Sequence, residues 1–227
     1  GCTQGMVYHL RNNGISYQLH RKTETQSEIY RLDVNWLNIN PLNGVEKDDA
    51  LPGYDNFYKG NTPIRDVKTY KGVTYKNVYN NIDLHYYEKS GNLKYDYIVG
   101  PSANYKQIQM EIKGVERIVM QPDGGLLLKT PFGDILEGAP LVYQKGKKLN
   151  ARWNVNHNML SFDIDNYDPL LPLLIDPITR TWGTYYGAGN PGFLGTNGNG
   201  CSTDASGNVY FVGVTDATAG TGIATLG

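Results

Sequence analysis

The chain has 227 residues, a formal net charge of −1, 19% charged residues and 40% hydrophobic ones; this is the make-up of a soluble globular protein with a sizeable core, not of a disordered tail or a collagen-like fibre. No segment interleaves clustered lysine and arginine with aromatic residues, so nucleic acid is not an expected partner. No run of about 18 apolar residues occurs, so no membrane-spanning helix is expected.

The opening GCTQGMVYHL lacks the basic, apolar and small-residue regions of a signal peptide; any export signal is expected to have been removed or to lie upstream. Short strands are then predicted at Met6 to Leu10, Ser16 to His20 and Ile29 to Trp36. The segment from Tyr75 to Gly100 is dense in tyrosine. Within it Ile82, Leu84 and Tyr86 alternate with polar residues, as do Leu93, Tyr95, Tyr97 and Val99. Placing both apolar sets on one face requires Tyr86 opposite Tyr95, Leu84 opposite Tyr97 and Ile82 opposite Val99, with a short turn at Lys89-Ser90-Gly91-Asn92.

A strand is predicted at Ile108 to Ile112. A hairpin follows in RIVMQPDGGLLLKT, where Pro122-Asp123-Gly124-Gly125 is turn chemistry between two apolar runs. Pro140 to Gln144 reads as another strand. In ARWNVNHNMLSFDI, pairing Val155 with Leu160, Trp153 with Phe162 and Ala151 with Ile164 centres a turn on His157-Asn158 and leaves Arg152, Asn154, Ser161 and Asp163 facing water. Leu173 to Ile175 completes the set. No segment shows a capped 3.6-residue period, so the fold class is all-β, an antiparallel sandwich-like domain over residues 1–177.

Beyond Pro177 the composition changes. Residues 183–227 are rich in Gly, Thr, Ala and Asn, and hold a Gly-Asn turn followed by a strand in DASGNVYFVGVT. Residues 178–227 are therefore read as a linker and a separate unit. A lone strand pair cannot bury its own face, so this tail is expected to dock on the first domain or to begin something longer.

Several constellations invite chemistry. Asp163, Asp165 and Asp168, with Asn166, supply hard oxygen ligands over a short span and form the candidate calcium site, although the central Gly and distal Glu of a full calcium loop are missing; the competing reading puts Asp163 and Asp165 on the wet side of a strand and Asp168 at a turn before Pro169. No other cofactor is expected. Histidines 9, 20, 85 and 157 follow no metal spacing. Cys2 and Cys201 are read as buried thiols or as the two halves of a bridge. GTNGNG lacks the Lys-Ser/Thr ending of a phosphate loop. Tyr54, Tyr58, Tyr75, Tyr79 and Tyr87, with Phe57, are the candidates for an exposed aromatic platform that meets a surface glycan or a protein; packing between domains is the duller use of the same rings.

CSTDASGNVYFVGVTD resembles one unit of the bacterial SBBP β-propeller repeat, with Asp204, Gly207, Asn208, Tyr210, Gly213 and Thr215 at the patterned positions. The preceding region is similar to the all-β domain that stands before such repeats, carrying YKGVTYKNVYNNIDLHYY, LKYDYIV, YDP and LLIDPITRTWGTYYG in order. Two departures stand out: the family's Asn-Lys-Gly-Gln opening is missing, and about one repeat is present where a propeller closes with four to eight blades. The resemblance implies an incomplete first propeller unit within 178–227, in a larger protein exported by the type IX route to the surface of a Gram-negative bacterium. It implies no catalytic activity. The leading expectation is accordingly a non-enzymatic structural or adhesion domain that contacts other domains of the same polypeptide, with a carbohydrate-binding module and a secreted glycan-active hydrolase as alternatives.

Overall fold

The alternation read from the sequence is realised as strand after strand in a computed structural model, which describes residues 2–3, 6–22, 27–41, 44–58, 62–89, 92–177, 181–183, 196–203 and 209–215. In chain order the first strands are β1 (Cys2–Thr3), β2 (Met6–Arg11), β3 (Gly14–Lys22), β4 (Ser27–Trp36), β5 (Val45–Lys47), β6 (Asp55–Phe57) and β7 (Ile64–Val67). There follow β8 (Gly72–Tyr79), β9 (Ile82–Lys89), β10 (Asn92–Val99), β11 (Met110–Lys113), β12 (Arg117–Met120), β13 (Leu126–Thr130), β14 (Gly133–Glu137) and β15 (Pro140–Gln144). The last are β16 (Lys147–Leu149), β17 (Ala151–Asn156), β18 (Met159–Ile164), β19 (Leu173–Pro177), β20 (Thr181–Gly183), β21 (Thr196–Thr203) and β22 (Val209–Thr215). One 3-10 turn, Tyr105–Gln107, is the sole helical piece among the described residues.

Two seven-stranded sheets form the sandwich, in the orders β1-β2-β3-β4-β11-β18-β17 and β16-β15-β19-β10-β9-β8-β5. A third sheet is β12-β13-β14-β20, and β6-β7 and β21-β22 are two-stranded ribbons. All pairings are antiparallel.

The two hairpins whose registers were read from sequence hold them, and the third forms across its predicted turn. Tyr95 faces Tyr86, Tyr97 faces Leu84 and Val99 faces Ile82; Trp153 faces Phe162 and Val155 faces Leu160. Ile118 faces Leu128 across a turn in which Gly124 has φ +84° and Gly125 N donates to Asp123 Oδ1. Register follows parity because a one-residue slip would turn every apolar side chain to water.

The core is one cluster spanning all three large sheets. Its spine is aromatic. Trp36 of the first sheet meets Tyr75 of the second edge-on at 4.9 Å between ring centroids; Tyr86, Tyr95 and Tyr97 continue the contact at 5.6–6.0 Å, and Phe162 and Trp153 return it to the first sheet. Polar tips are satisfied inside: Trp153 Nε1 donates to Gly138 O, Tyr79 OH donates to Gln109 O, and Tyr105 OH accepts from Ile164 N. Tyr95 OH donates to Glu137 Oε1 at 2.9 Å, tying the second sheet to a fully buried carboxylate of the third.

Three features depart from the sequence reading. The strand expected from Ile108 begins only at Met110, because Asn104 caps the 3-10 turn and Ile108 closes it. The backbone of residues 181–183, read as linker, adds β20 to the edge of β14. The third is a set of strands that the sequence reading lacks, the short β1, β5, β6, β7, β14, β16 and also β21 and β8; in β8 the pairing with β9 shifts between Tyr75 and Tyr79, and Asn77 stands at φ +49°, so simple alternation fails there.

Substituting Tyr95→Phe keeps the ring but leaves Glu137 short of a buried donor. Chemical denaturation should show a loss of about 1–3 kcal/mol, and a loss below about 0.5 kcal/mol, the size usual for surface changes, would show the bond to be dispensable.

Candidate functional site

The edge of the second sheet grows into an arm. Val45 pairs with Tyr75 and Lys47 with Val73, and beyond the named strands the ladder continues: Asp48 N donates to Gly72 O, Lys71 N to Asp49 O and Leu51 N to Thr69 O, with a bridge between Ala50 and Tyr70. It ends in the β6-β7 ribbon, where Phe57 faces Ile64 and Asp66 N donates to Asn56 Oδ1. Between the two ladders the chain bends at Pro52 and Gly53, with Gly53 at φ +90°, and β6-β7 forms a sheet of its own.

The described part of the arm is exposed almost throughout. At its tip Tyr54, Phe57, Tyr58 and Ile64 are 58%, 53%, 72% and 62% exposed. Lys68 Nζ lies 5.7 Å from the Tyr54 ring and donates to Gly53 O, while Lys47 covers Tyr70 at 5.0 Å. These contacts brace the backbone and leave the outer ring faces open.

The predicted platform therefore divides. Tyr54 and Tyr58 are on the surface with Phe57. Tyr75 and Tyr79 are not: both lie in the core at 3% and 1% exposure, because β8 pairs Tyr75 with Leu84 and Tyr79 with Ile82, two core positions of β9. Burial raises both phenols, Tyr79 to about 12. Tyr87 is half-buried on the outer face, stacked on His85 at 4.9 Å.

The calcium candidates are not gathered round a centre. Arg152 stands opposite Asp163 on β17, lies 3.6 Å from its carboxylate and donates to Asp165 at 3.2 Å. Asp168 Oδ1 instead accepts from Leu170 N, closing the turn before Pro169. Among the described residues no three His, Cys, Asp or Glu side chains are placed to hold a metal ion. The side chains of Cys2 and Cys201, and residues Asp204, Gly207 and Asn208, lie outside the described residues. His9 and His20 are exposed, and His157 occupies the β17-β18 turn at φ +55°.

A second cluster escaped the sequence reading. On the outer face of the second sheet His85 Nε2 lies 2.9 Å from Asp48 Oδ2, and Tyr87 OH donates to Asp96 Oδ1 at 3.4 Å. The β10-β19 ladder pairs Tyr97 with Ile175, so one step along it brings Asp96 beside Asp176, whose Oδ1 is buried and accepts no hydrogen bond from the described residues. Gly72 makes room: a Cβ there would fall 2.4 Å from Asp48 Oδ2 and 2.7 Å from Tyr86 O.

Burial, and then the neighbouring Asp176 charge, push the Asp96 carboxyl up to about 6, against the pull of Tyr87, His85 and Lys94. Tyr87 is raised by burial and by the same two carboxylates. On the opposite sheet Asp33 goes the other way. Burial alone would raise it, but hydrogen bonds from Arg31 and Ser16 and the charges of Arg11 and Arg31 together outweigh burial and lower it.

The sign for Asp96 follows from linkage. A carboxyl raised in the fold binds its proton more tightly there than in the unfolded chain, so this group weakens the fold above about pH 6 and ceases to do so as pH falls towards 4. The full rise is worth about 3 kcal/mol, and about 1–2 kcal/mol once solvent contact is discounted. Asp96→Asn should therefore raise Tm at pH 7.5 by about 2–8 °C, with the gain shrinking to nothing near pH 4; thermal melts across that range check it, and a gain independent of pH would reject the account from burial and the neighbouring charge.

No curated protein and no solved structure matches the chain. A family described as a domain of unknown function (DUF7948) matches residues 2–178, the whole of the sandwich with its arm and three of the four strands of its third sheet, and the chain belongs to that family.

Proposed function

We propose that the chain is a non-catalytic interaction domain of a larger exported protein, standing at the bacterial surface in front of a β-propeller. The observation that carries this reading is the arm: large apolar side chains leave the core together on a projecting ribbon, where they meet a surface and not a substrate in a cleft. Several charged groups of the sandwich are meanwhile engaged with one another, as Arg152 is with Asp163 and Asp165, and Asp48 with His85. The SBBP-like pattern at Asp204, Asn208, Tyr210 and Gly213 supports the propeller and, with it, export.

The exposed Tyr54 and Tyr58 rings beside Lys68 also favour a carbohydrate-binding reading, in which the rings stack on sugar. Among the described residues, the two carboxylates converging at Asp96 and Asp176 are the feature that speaks for a hydrolase, and they lie on the outer face of a sheet with Asp96 engaged by Tyr87.

The experiment is to tag the full reading frame in a gliding Gram-negative host and treat intact cells with protease. The domain should be cleaved from intact cells of the parent strain and protected in a strain lacking the type IX translocon. Retention in the cytoplasm of the parent strain would end the export reading.

A further inference from the structure

The arm poses a stability problem of its own. A two-stranded ribbon is marginal in water unless a further strand or a packed face supports it. The three aromatic rings and Ile64 at its tip leave roughly 400 Å² of apolar surface open, using about 200 Å² for a whole aromatic side chain. That is the size of patch that on a monomer usually has a use.

We infer that the arms of two copies of this chain clasp one another about a two-fold axis, the tip of each lying on the base of the other. The inference rests on reading the arm as a contact surface and names its partner. Size is the first argument. One tip covering an equal area on a partner buries only about 800 Å², short of the 1,200–2,000 Å² of a stable complex; reciprocal exchange doubles the area to about 1,600 Å². Charge is the second. From Tyr54 to Lys68 the described residues hold Asp55 and Asp66 with Arg65 and Lys68, and the base holds Glu46, Asp48 and Asp49 with Lys47 and Lys71, so neither surface carries a large net charge that would repel a second copy. Shape is the third. The tip projects where a small ligand needs a concavity. The β6-β7 sheet has two strands only, so each has one edge outside the ladder, and Val45 and Leu51 at the base are themselves more than one-third exposed.

Sedimentation velocity on the 227-residue chain tests this. The expected particle is a dimer of the 25.3 kDa chain. The double variant Phe57→Ser, Tyr58→Glu should weaken the dimer at least about 30-fold, the loss of a single strong contact residue, and leave near-ultraviolet circular dichroism unchanged, since neither ring reaches the core. Ile98→Ser, at an exposed position on the second sheet, should leave the dimer intact. Hydrogen exchange on the unmodified chain reads the same contact without substitution: amides 54–58 and 64–67 should gain protection with concentration. A chain that sediments as a monomer at about 100 µM, or a dimer unaffected by the double variant, overturns the proposal. A monomer whose Tyr58 is needed to retain a neutral oligosaccharide assigns the tip to glycan instead. Either result leaves the localisation experiment standing, so failure of the clasp and failure of the export reading are told apart.

Discussion

The fold depends on a chain of aromatic rings that runs from Trp36 across Tyr75, Tyr86, Tyr95 and Tyr97 to Phe162 and Trp153, crossing from one sheet to the other and back. Wide rings suit a sandwich because two pleated faces about 10 Å apart must be filled from both sides. Tyrosine fills that space and also brings a hydroxyl, which must find a partner when buried. Here the partners lie where different layers meet: Glu137 on the third sheet for Tyr95, and the Gln109 carbonyl just before β11 for Tyr79. The tyrosine richness of residues 75–100 is thus explained mainly by packing. A phenylalanine core of the same shape would lose these joints between layers.

What was legible in the sequence was local. Hairpins β9-β10, β12-β13 and β17-β18 are fixed by parity and by a short turn, both of which lie within about fifteen residues of chain. The order of strands across each sheet was not legible. Nothing in the sequence near Met110 says that it lies between Trp36 and Leu160, or near Val99 that it meets Leu173. In β8 the exposed Asn77, at φ +49°, stands where alternation from Tyr75 and Tyr79 would place a core residue, so the strand and the burial of both rings are not legible from residues 75–79. The carboxylate cluster was lost for the same reason as the sheet order: Asp96 and Asp176 stand eighty residues apart, and only the β10-β19 register brings them together.

The two outer faces treat buried charge in opposite ways. Asp33 sits among Arg11, Arg31 and Ser16, and its ionised form supports the fold until pH drops through its lowered value. Asp96 sits beside another carboxylate, and its ionised form opposes the fold above about pH 6. Between pH 6 and 4 the second group relaxes while the first is still ionised, so these two contributions place greatest stability on the mildly acidic side of neutrality. A domain under selection for stability alone would replace one member of the Asp96–Asp176 pair, since an apolar or amide side chain there removes the repulsion at little cost.

The arm shows the same contrast between stability and use. Every ring of the spine is held by neighbours on two sheets, so a change there is felt through the whole core. Tyr58 and Phe57, by comparison, contribute to no layer of the sandwich, and their burial in the folded chain is too slight to repay the cost of exposing them. The ladder that carries them is nevertheless built with care: it runs without a break from β5 and β8 through Asp49, Ala50 and Leu51, is pinned by the Lys71–Asp49 ion pair, and requires a glycine at position 72 to pass under Asp48 and His85. The stem is thus tied to the second sheet by backbone hydrogen bonds, while the apolar side chains at its tip are outside the core that holds the sheets together.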